Sequence, residues 1–232
     1  VQDTGWQVNK QVKHIAEHMW DNQIELPGLL ASNPIPFPVK PRDIDTNTDS
    51  RRSYSTEKAR VIAVNNKMKN QKLSVARLLQ AAEKFSGVSS FYMPQQLDFR
   101  GRMYSLPSVL NNQGNDLTRS LLKFDSGKPL CTKQDWDAFY IEGAHRLCLP
   151  GMTLDDKVKF IEENRCGFVE IGADPLAHVN VWSEAKEPWQ FLAWCIELSE
   201  IDADPTYPSC LPCSIDGTNH GCQIWSLIMR DK

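Results

Sequence analysis

Apolar side chains recur at helical spacing within the first twenty residues. Successive steps of four, three and four residues place four of them on one stripe of a helix: Val8, Val12, Ile15 and Met19. The pattern predicts a helix over residues 5–20 that packs against the protein through this stripe.

Five further segments repeat apolar positions with the period of a helix. They are residues 57–70, 74–85, 133–147, 154–164 and 188–200. Thr132 and Thr153 precede two of these segments, where a threonine hydroxyl can cap the helix. In the last segment we expect Trp194 and Cys195 to be packing residues.

Two stretches between the first two helices lack this period. Residues 26–41 contain five of the 14 prolines, which excludes a helix and predicts an extended connector. Residues 43–55 are almost entirely polar and predict a mobile surface loop.

The C-terminal pattern is a short apolar run from Leu211, then Asp216-Gly217, a polar loop and a helical repeat that includes Trp225 and Met229. It predicts a strand that carries Asp216 at its carboxyl end. Gly217 can turn the chain and leave its carbonyl beside the carboxylate, and Mg²⁺ prefers oxygen ligands of this kind. An ordinary Asp-Gly turn gives the same pattern.

Length and composition set broad limits. The 232 residues suffice for one large domain or two small ones, and without a run of eighteen apolar residues or a leader peptide we expect a soluble, cytoplasmic chain without membrane contact. The seven cysteines have no regular spacing. The Cys210-x-x-Cys213 pair has no second pair, so reduced thiols are expected instead of disulfides or a zinc site.

The net charge of −3 conceals a basic segment. Residues 51–84 contain nine lysines and arginines against two glutamates, an excess of +7. Such a segment is either a phosphate-facing surface or an ordinary solvated helix face.

A second polar phrase, Asp98-Phe-Arg100-Gly101-Arg102, places two guanidiniums around a glycine. Gly101 lets the backbone turn, and both arginines can donate paired hydrogen bonds to phosphate or carboxylate. One arginine can pair with Asp98 while the other reaches a ligand, or Asp98 and Arg100 can form a plain surface ion pair.

Several phrases resemble, in order, motifs of the single-subunit, bacteriophage-type RNA polymerases. Residues 214–231, S-I-D-G-T-N-H-G-C-Q-I-W-S-L-I-M-R-D, resemble motif A, and residues 98–102, D-F-R-G-R, are similar to D-x-R-G-R. Residues 111–124, N-N-Q-G-N-D-L-T-R-S-L-L-K-F, and 157–164, K-V-K-F-I-E-E-N, also agree with the family. The likeness runs over residues 5–231, although His220 and Ile224 depart from the family's pattern.

The resemblance implies a fold and a set of roles. It implies a mainly helical α+β chain in which residues 1–90 are thumb-like helices with a proline-rich connector. Residues 91–232 would then be the first part of a polymerase palm with a small antiparallel sheet. Asp216 would be the catalytic metal ligand, together with Gly217. The implied substrate and nucleic-acid contacts are Arg100, Arg102, Tyr104, Arg119, Lys159, Lys67, Lys69 and Lys72.

The family transfers nucleotides with two Mg²⁺ ions held by two aspartates. The H-D-S motif of the second aspartate and the R-x-x-x-K helix of motif B do not occur in these residues. These residues fit either a piece of a longer polymerase or one subunit of a split polymerase. We prefer the split polymerase, and then expect activity only with a partner subunit that carries motifs B and C. DNA template, nascent RNA, NTPs and a promoter-recruiting accessory protein would be further partners, in the host-cell cytoplasm if the source is viral. The alternative is a non-catalytic, nucleic-acid-binding scaffold subunit.

Overall fold

A computed structural model describes residues 2–29, 34–213 and 220–229. Its elements in chain order are β1 (Gly5–Val8), α1 (Lys10–Asp21), α2 (Thr48–Ser86), β2 (Phe91–Tyr92), β3 (Gln95–Leu97), β4 (Met103–Ser105), α3 (Asp116–Ser120), β5 (Leu122–Phe124), α4 (Lys133–Leu147), α5 (Leu154–Glu163), α6 (Arg165–Ala173), α7 (Val179–Trp182), α8 (Pro188–Ala203) and α9 (His220–Met229). The fold is mainly helical α+β, as predicted.

The strands form two small antiparallel units. One sheet has the order β2-β1-β5, with Trp6 opposite both Phe91 and Phe124. The other is the β3–β4 hairpin, in which Gln96 pairs with Tyr104. The predicted small antiparallel sheet is confirmed.

The first helix begins later than the predicted residue 5. Gly5–Val8 is a strand, and the helix begins only after Asn9, whose side chain caps the Val12 amide. The Asp125 carboxylate packs closely against this strand at Gly5, where a Cβ would overlap it. Val8 is buried in the sheet, so its helical spacing from the next three residues of the stripe is coincidental.

The two helices predicted over 57–70 and 74–85 are one helix, α2, of 39 residues. It is about 58 Å long at 1.5 Å per residue. The residues between the predicted helices, Gln71, Lys72 and Leu73, include neither glycine nor proline and do not interrupt the helix. The predicted surface loop 43–55 was wrong from Thr48 onward, because the Asn47 side chain caps the amides of the first turn.

Only the C-terminal part of α2 packs on the main core, through Val75, Leu78, Leu79 and Ala82. Its N-terminal part carries the proline-rich connector instead. The Asn65 side-chain amide donates to the Ile35 carbonyl and accepts from the Ile35 amide, both at 2.9 Å.

The core centres on α8, which is buried along most of its length. The Trp194 ring lies between the rings of Phe139 and Phe191, with centroids at 5.3 and 5.8 Å, and its indole donates to the Phe139 carbonyl. Close approach of α4 requires Gly143, where a Cβ would overlap the Trp194 ring. The predicted burial of Trp194 and Cys195 is confirmed.

The helices predicted over 133–147, 154–164 and 188–200 are confirmed as α4, α5 and α8, and both capping threonines make capping boxes. The helix predicted after Asp216 is α9. Residues 211–213 form no strand, and the rest of the strand predicted before Asp216 lies outside the described residues. Pro212 has no amide hydrogen to donate to a ladder.

Within the described ranges, no helix is long and apolar enough to span a bilayer. β1 pairs with β5, so elements from both sides of residue 90 share one sheet. The division into residues 1–90 and 91–232 stays a prediction.

Candidate nucleic-acid interface and metal-binding segment

The turn between β3 and β4 is organised around the Asp98 carboxylate. Its Oδ1 accepts from the amides of Arg100 and Arg102 at 2.8 and 2.9 Å, while Oδ2 lies 3.1 Å from Arg100 Nη2. The Arg102 amide, followed by that of Arg100, lowers the pKa of Asp98. Gly101 occupies the turn at φ +76°, a conformation that favours glycine.

The two arginines of this turn differ in their partners. Arg100 pairs with Asp98 and lies over the exposed Phe99 ring, with the guanidinium carbon 5.3 Å from the ring centroid. The exposed Arg102 guanidinium has no hydrogen-bond or ion-pair partner among the described residues. Tyr104, on β4, is 38% exposed. Arg102 and Tyr104 therefore remain available to a ligand.

The loop after the hairpin holds the hairpin in place. The Gln113 side chain accepts from the Ser105 amide and donates to the Met103 carbonyl, each at 2.9 Å. Asn111 in turn accepts from the Gln113 amide at 2.9 Å. The side chain of Gln113 thus occupies the place of a third strand beside β4.

Arg119 belongs to a partly buried polar network. Its Nη2 lies 2.7 Å from Glu187 Oε1, and its side chain is 28% exposed. Burial would raise the pKa of Glu187, but hydrogen bonds from Arg119 and Arg146 outweigh that effect and lower it. The nucleic-acid contact expected of Arg119 stays a prediction, because the structure engages this guanidinium within the chain.

Arg146 is the centre of the network and was not identified from the sequence. Its side chain is 6% exposed, and it contacts Glu142, Glu187 and Gln190. It also donates to the Pro212 carbonyl at 3.3 Å. The spacing of Glu142 and Arg146 at i and i+4 on α4 was the available signal, but this spacing is equally typical of exposed helix pairs.

Asp116 extends the network to the start of α8. It accepts from the Trp189 amide at 2.8 Å and from the backbone and side chain of Gln190 at 3.1 and 3.0 Å. Burial raises the pKa of Asp116, and the hydrogen bonds from Gln190 and Trp189 oppose that rise. The carboxylate satisfies amides at the helix N-terminus, where α8 has no side-chain cap of its own.

Four side chains of this network, Arg119, Glu142, Arg146 and Gln190, line a cavity of about 180 Å³. Trp6 and Trp194 also contribute to its walls. Leu211, Pro212 and Cys213 line it as well. The cavity therefore lies beside the residues that lead into the Asp216-Gly217 phrase.

Residues 209–213, which we name the lead-in segment, are fixed to the core by hydrogen bonds. Ser209 bridges to Lys128 through two backbone bonds of 2.9 and 3.2 Å, and the Cys210 carbonyl accepts from the Phe124 amide at 2.9 Å. The close approach at Ser209 requires Gly127, where a Cβ would overlap the Ser209 carbonyl.

Two buried carboxylates hold the lead-in segment from the helical side. Glu197 of α8 accepts from the Ser209 hydroxyl and, at 3.2 Å, from the Cys210 amide. The Cys213 thiol donates to Glu142 Oε2 at 3.3 Å. Burial, followed by the Glu142 charge, raises the pKa of Cys213 to about 11, so the thiol remains protonated at neutral pH.

Asp216 and Gly217, the metal ligands expected from the sequence, lie outside the described residues. Among the residues that are described, no group of three His, Cys, Asp or Glu side chains could hold a metal ion. The lead-in segment ends three residues before Asp216.

The remaining predicted contacts are lysines on helix surfaces. Lys159 is exposed on α5, Lys67 and Lys69 are exposed on α2, and Lys72 is half-buried there. Lys67 and Lys69 are two residues apart, so they point to different sides of the helix. The three α2 lysines therefore do not form a single basic face.

Comparison with known proteins first defines the class. Residues 131–232 match the family model described as DNA-dependent RNA polymerase. The chain is 31% identical to T7 RNA polymerase of Escherichia phage T7 over 234 residues, covering all of this chain and 26% of that protein. It is 30% identical to mitochondrial DNA-directed RNA polymerase 1 of Arabidopsis thaliana over 235 residues, covering 99% of this chain and 24% of that protein.

A further relative is the DNA-directed RNA polymerase of Enterobacteria phage K11, which is 31% identical over all of this chain and 25% of its own length. The chain belongs to the single-subunit, bacteriophage-type RNA polymerase family. It spans about a quarter of the length of these relatives.

Proposed function

We propose that this chain forms part of a DNA-directed RNA polymerase, to which it supplies one metal-binding aspartate and contacts to template and RNA–DNA hybrid. Similarity to RNA polymerases along the whole chain is the observation that carries the proposal. The firmly held lead-in segment supports it, because a metal-binding carboxylate needs a rigid base.

In this proposal Asp216 and the Gly217 carbonyl hold Mg²⁺. Their carboxylate and carbonyl oxygens are the ligands that a hard cation prefers. When bound, two such ions activate the attacking 3′-hydroxyl and stabilise the leaving pyrophosphate. One carboxylate cannot hold two ions in that geometry, so the second aspartate comes from other residues of the polymerase. We place it, with motifs B and C, on a second subunit.

The Asp98 turn would contact the template or the hybrid. Asp98 and Arg100 shape the turn, which leaves the Arg102 guanidinium directed outward with Tyr104 close by in sequence. A free guanidinium can donate two hydrogen bonds to one phosphate. Arg119 would reach nucleic acid only by sharing its guanidinium with Glu187.

The basic helix α2 would act as the thumb. Lys67, Lys69 and Lys72 would contact phosphates of the hybrid, which adds affinity that depends on salt but not on sequence. Lys159, on another helix, would reach the triphosphate of the incoming NTP, where a flexible point charge is suitable. A promoter-recruiting accessory protein would supply the choice of promoter.

The experiment that tests the catalytic part replaces Asp216 by Asn in the assembled polymerase. We expect RNA synthesis to fall by at least about a hundredfold, since Asn retains the size but not the charge of the ligand. Binding to DNA and assembly should be unchanged. Asp155→Asn, at an exposed position in the first turn of α5, is the matched control and should remain active.

The second candidate function is a non-catalytic, nucleic-acid-binding scaffold. The basic α2 favours it, because lysine contacts to phosphates need no metal ion. Under this alternative the Asp216→Asn polymerase continues to synthesise RNA at close to the unaltered rate. That result would reject the catalytic proposal and retain the scaffold.

A further inference from the structure

The buried guanidinium of Arg146 connects the helical core to the lead-in segment. Its side chain is 6% exposed, so its charge requires partners inside the protein. Glu142 on the same helix and Glu187 just before α8 provide two carboxylates. Arg119 also pairs with Glu187, so the ion pairs join two positive and two negative side chains.

The contacts of Arg146 divide into two kinds. Glu142, Glu187 and Gln190 belong to α4 and the start of α8 and fix the guanidinium against the core. The remaining contact is different, because Arg146 Nη2 donates to the Pro212 carbonyl at 3.3 Å. A guanidinium holds its donors in a rigid planar arrangement, so fixing three of its contacts also fixes the direction of the fourth.

The contact at Pro212 gives the lead-in segment a second point of attachment, closer to Asp216 in the sequence. Glu197 and Phe124 hold this segment at Cys210, and Arg146 holds it two residues further along the chain. Pro212 lies four residues before Asp216. A catalytic group must be held within about 0.5 Å of its productive position, and the residues that support it provide that precision.

We propose that Arg146 is a positioning residue for Asp216, acting through the Pro212 carbonyl. It touches neither metal nor substrate; it fixes the lead-in segment, which ends three residues before Asp216. This inference rests on the proposed function, in which Asp216 holds Mg²⁺. Arg146, which is in none of the sequence motifs, would thus influence how well Asp216 binds Mg²⁺.

The test uses Arg146→Lys in the assembled polymerase. Lysine keeps the positive charge, but one ammonium group cannot serve partners on both helices and also Pro212. We expect the Mg²⁺ concentration for half-maximal RNA synthesis to rise about threefold to tenfold, below the range for residues that contact a metal ligand directly. The KM for NTP should change by less than about twofold, because the triphosphate contacts are elsewhere.

Arg165→Lys is the matched control for a general loss of stability. Arg165 pairs with Asp202 at 2.8 Å, lies over Trp136, and in the described part of the chain binds no residue of the lead-in segment. We expect this variant to lose some thermal stability and to keep the Mg²⁺ requirement of the unaltered enzyme.

Amide hydrogen exchange of residues 209–213 gives a readout that does not depend on activity. In the assembled polymerase, exchange there should be faster with Arg146→Lys and unchanged with Arg165→Lys. If Arg146→Lys does not fold, Glu197→Asp replaces it, because the shorter side chain withdraws the acceptor from the Cys210 amide. The same rise in Mg²⁺ requirement is expected.

An unchanged Mg²⁺ requirement in the folded variant would overturn the inference, as would an equal rise with Arg165→Lys. The Asp216→Asn polymerase is assayed in parallel to separate the two proposals. If Asp216→Asn remains active, the proposed function fails. If Asp216→Asn is inactive while Arg146→Lys leaves the Mg²⁺ requirement unchanged, only the positioning role fails.

Discussion

Asp98 pairs with the guanidinium of Arg100 but contacts Arg102 only through backbone atoms of Arg102. The Arg100 guanidinium lies 3.1 Å from Asp98 Oδ2, whereas Asp98 Oδ1 accepts from the Arg102 amide at 2.9 Å. The Arg100 side chain therefore stabilises the turn, whereas the Arg102 side chain extends from the turn into solvent.

This difference predicts separate effects of the two arginines on nucleic-acid binding. Arg102→Ala should weaken binding to an RNA–DNA hybrid by about 1 kcal/mol and reduce the slope of log affinity against log salt by about one. The measurement is a salt titration of affinity with the assembled polymerase. Arg100→Ala should leave the slope unchanged. Equal slopes for Arg102→Ala and the unaltered protein would contradict the contact.

The low pKa of Asp98 predicts how the turn responds to acid. Because the folded-state pKa lies below the unfolded value of about 3.9, the carboxylate stabilises the turn above that value. This stabilisation is lost as the pH falls through the lower, folded-state pKa. An NMR titration of the Asp98 carboxyl carbon should give a midpoint below about 3.9.

A matched pair of glycine variants tests the origin of that pKa. Gly101→Ala strains the turn at φ +76°, weakens the two amide bonds and should move the Asp98 midpoint upward. Gly87→Ala, at φ −85°, where a Cβ meets nothing within 4 Å, should leave it unchanged. An unshifted midpoint in Gly101→Ala would show that the amide bonds do not cause the low pKa.

Asp116→Asn should destabilise the fold. Both carboxylate oxygens accept hydrogen bonds, so the new amide group would face an N–H donor of Trp189 or Gln190. We expect the free energy of unfolding to fall by about 1–3 kcal/mol in denaturant titrations. Asp155→Asn should change it by less than about 0.5 kcal/mol. If the two variants were equally stable, the bonds to α8 would contribute little.

The thumb assignment predicts an effect of Lys69 that depends on salt. Lys69→Gln should lower the salt slope of hybrid binding by about 0.7–0.9, the value for one lost phosphate contact, without altering sequence preference. Lys133→Gln, an exposed lysine at the start of α4, is the control with an unchanged slope. An identical loss in both variants would indicate a general charge effect.

The sequence predicted those parts of the fold that depend on local signals. Apolar periodicity predicted α4, α5 and α8, and the capping threonines marked the starts of α4 and α5. The β1 strand was missed because Val8 continues the stripe of α1. Pairing with Phe91 and Phe124, which are distant in sequence, decides its conformation.

In the candidate site, too, the sequence predicted local contacts but not distant ones. The Asp98 turn could be recognised because its partners lie within four residues of one another. The Arg146 network could not, since it joins α4, α8 and the lead-in segment over separations of 41 to 66 residues. Sequence spacing records which residues share a helix face but not which faces meet.

The part of α2 before Val75 lies outside the main core, so a change in the tilt of the helix would move its N-terminal end. Val75 marks where the helix enters the core, and Thr48 lies 27 residues earlier, about 40 Å away along the axis. A tilt of about 5° around Val75 would displace the N-terminal end of the helix by roughly 3–4 Å, which is close to the rise of one base pair. Small repacking around Val75 would therefore be enlarged at the helix tip into a displacement comparable with the spacing of base pairs in a duplex.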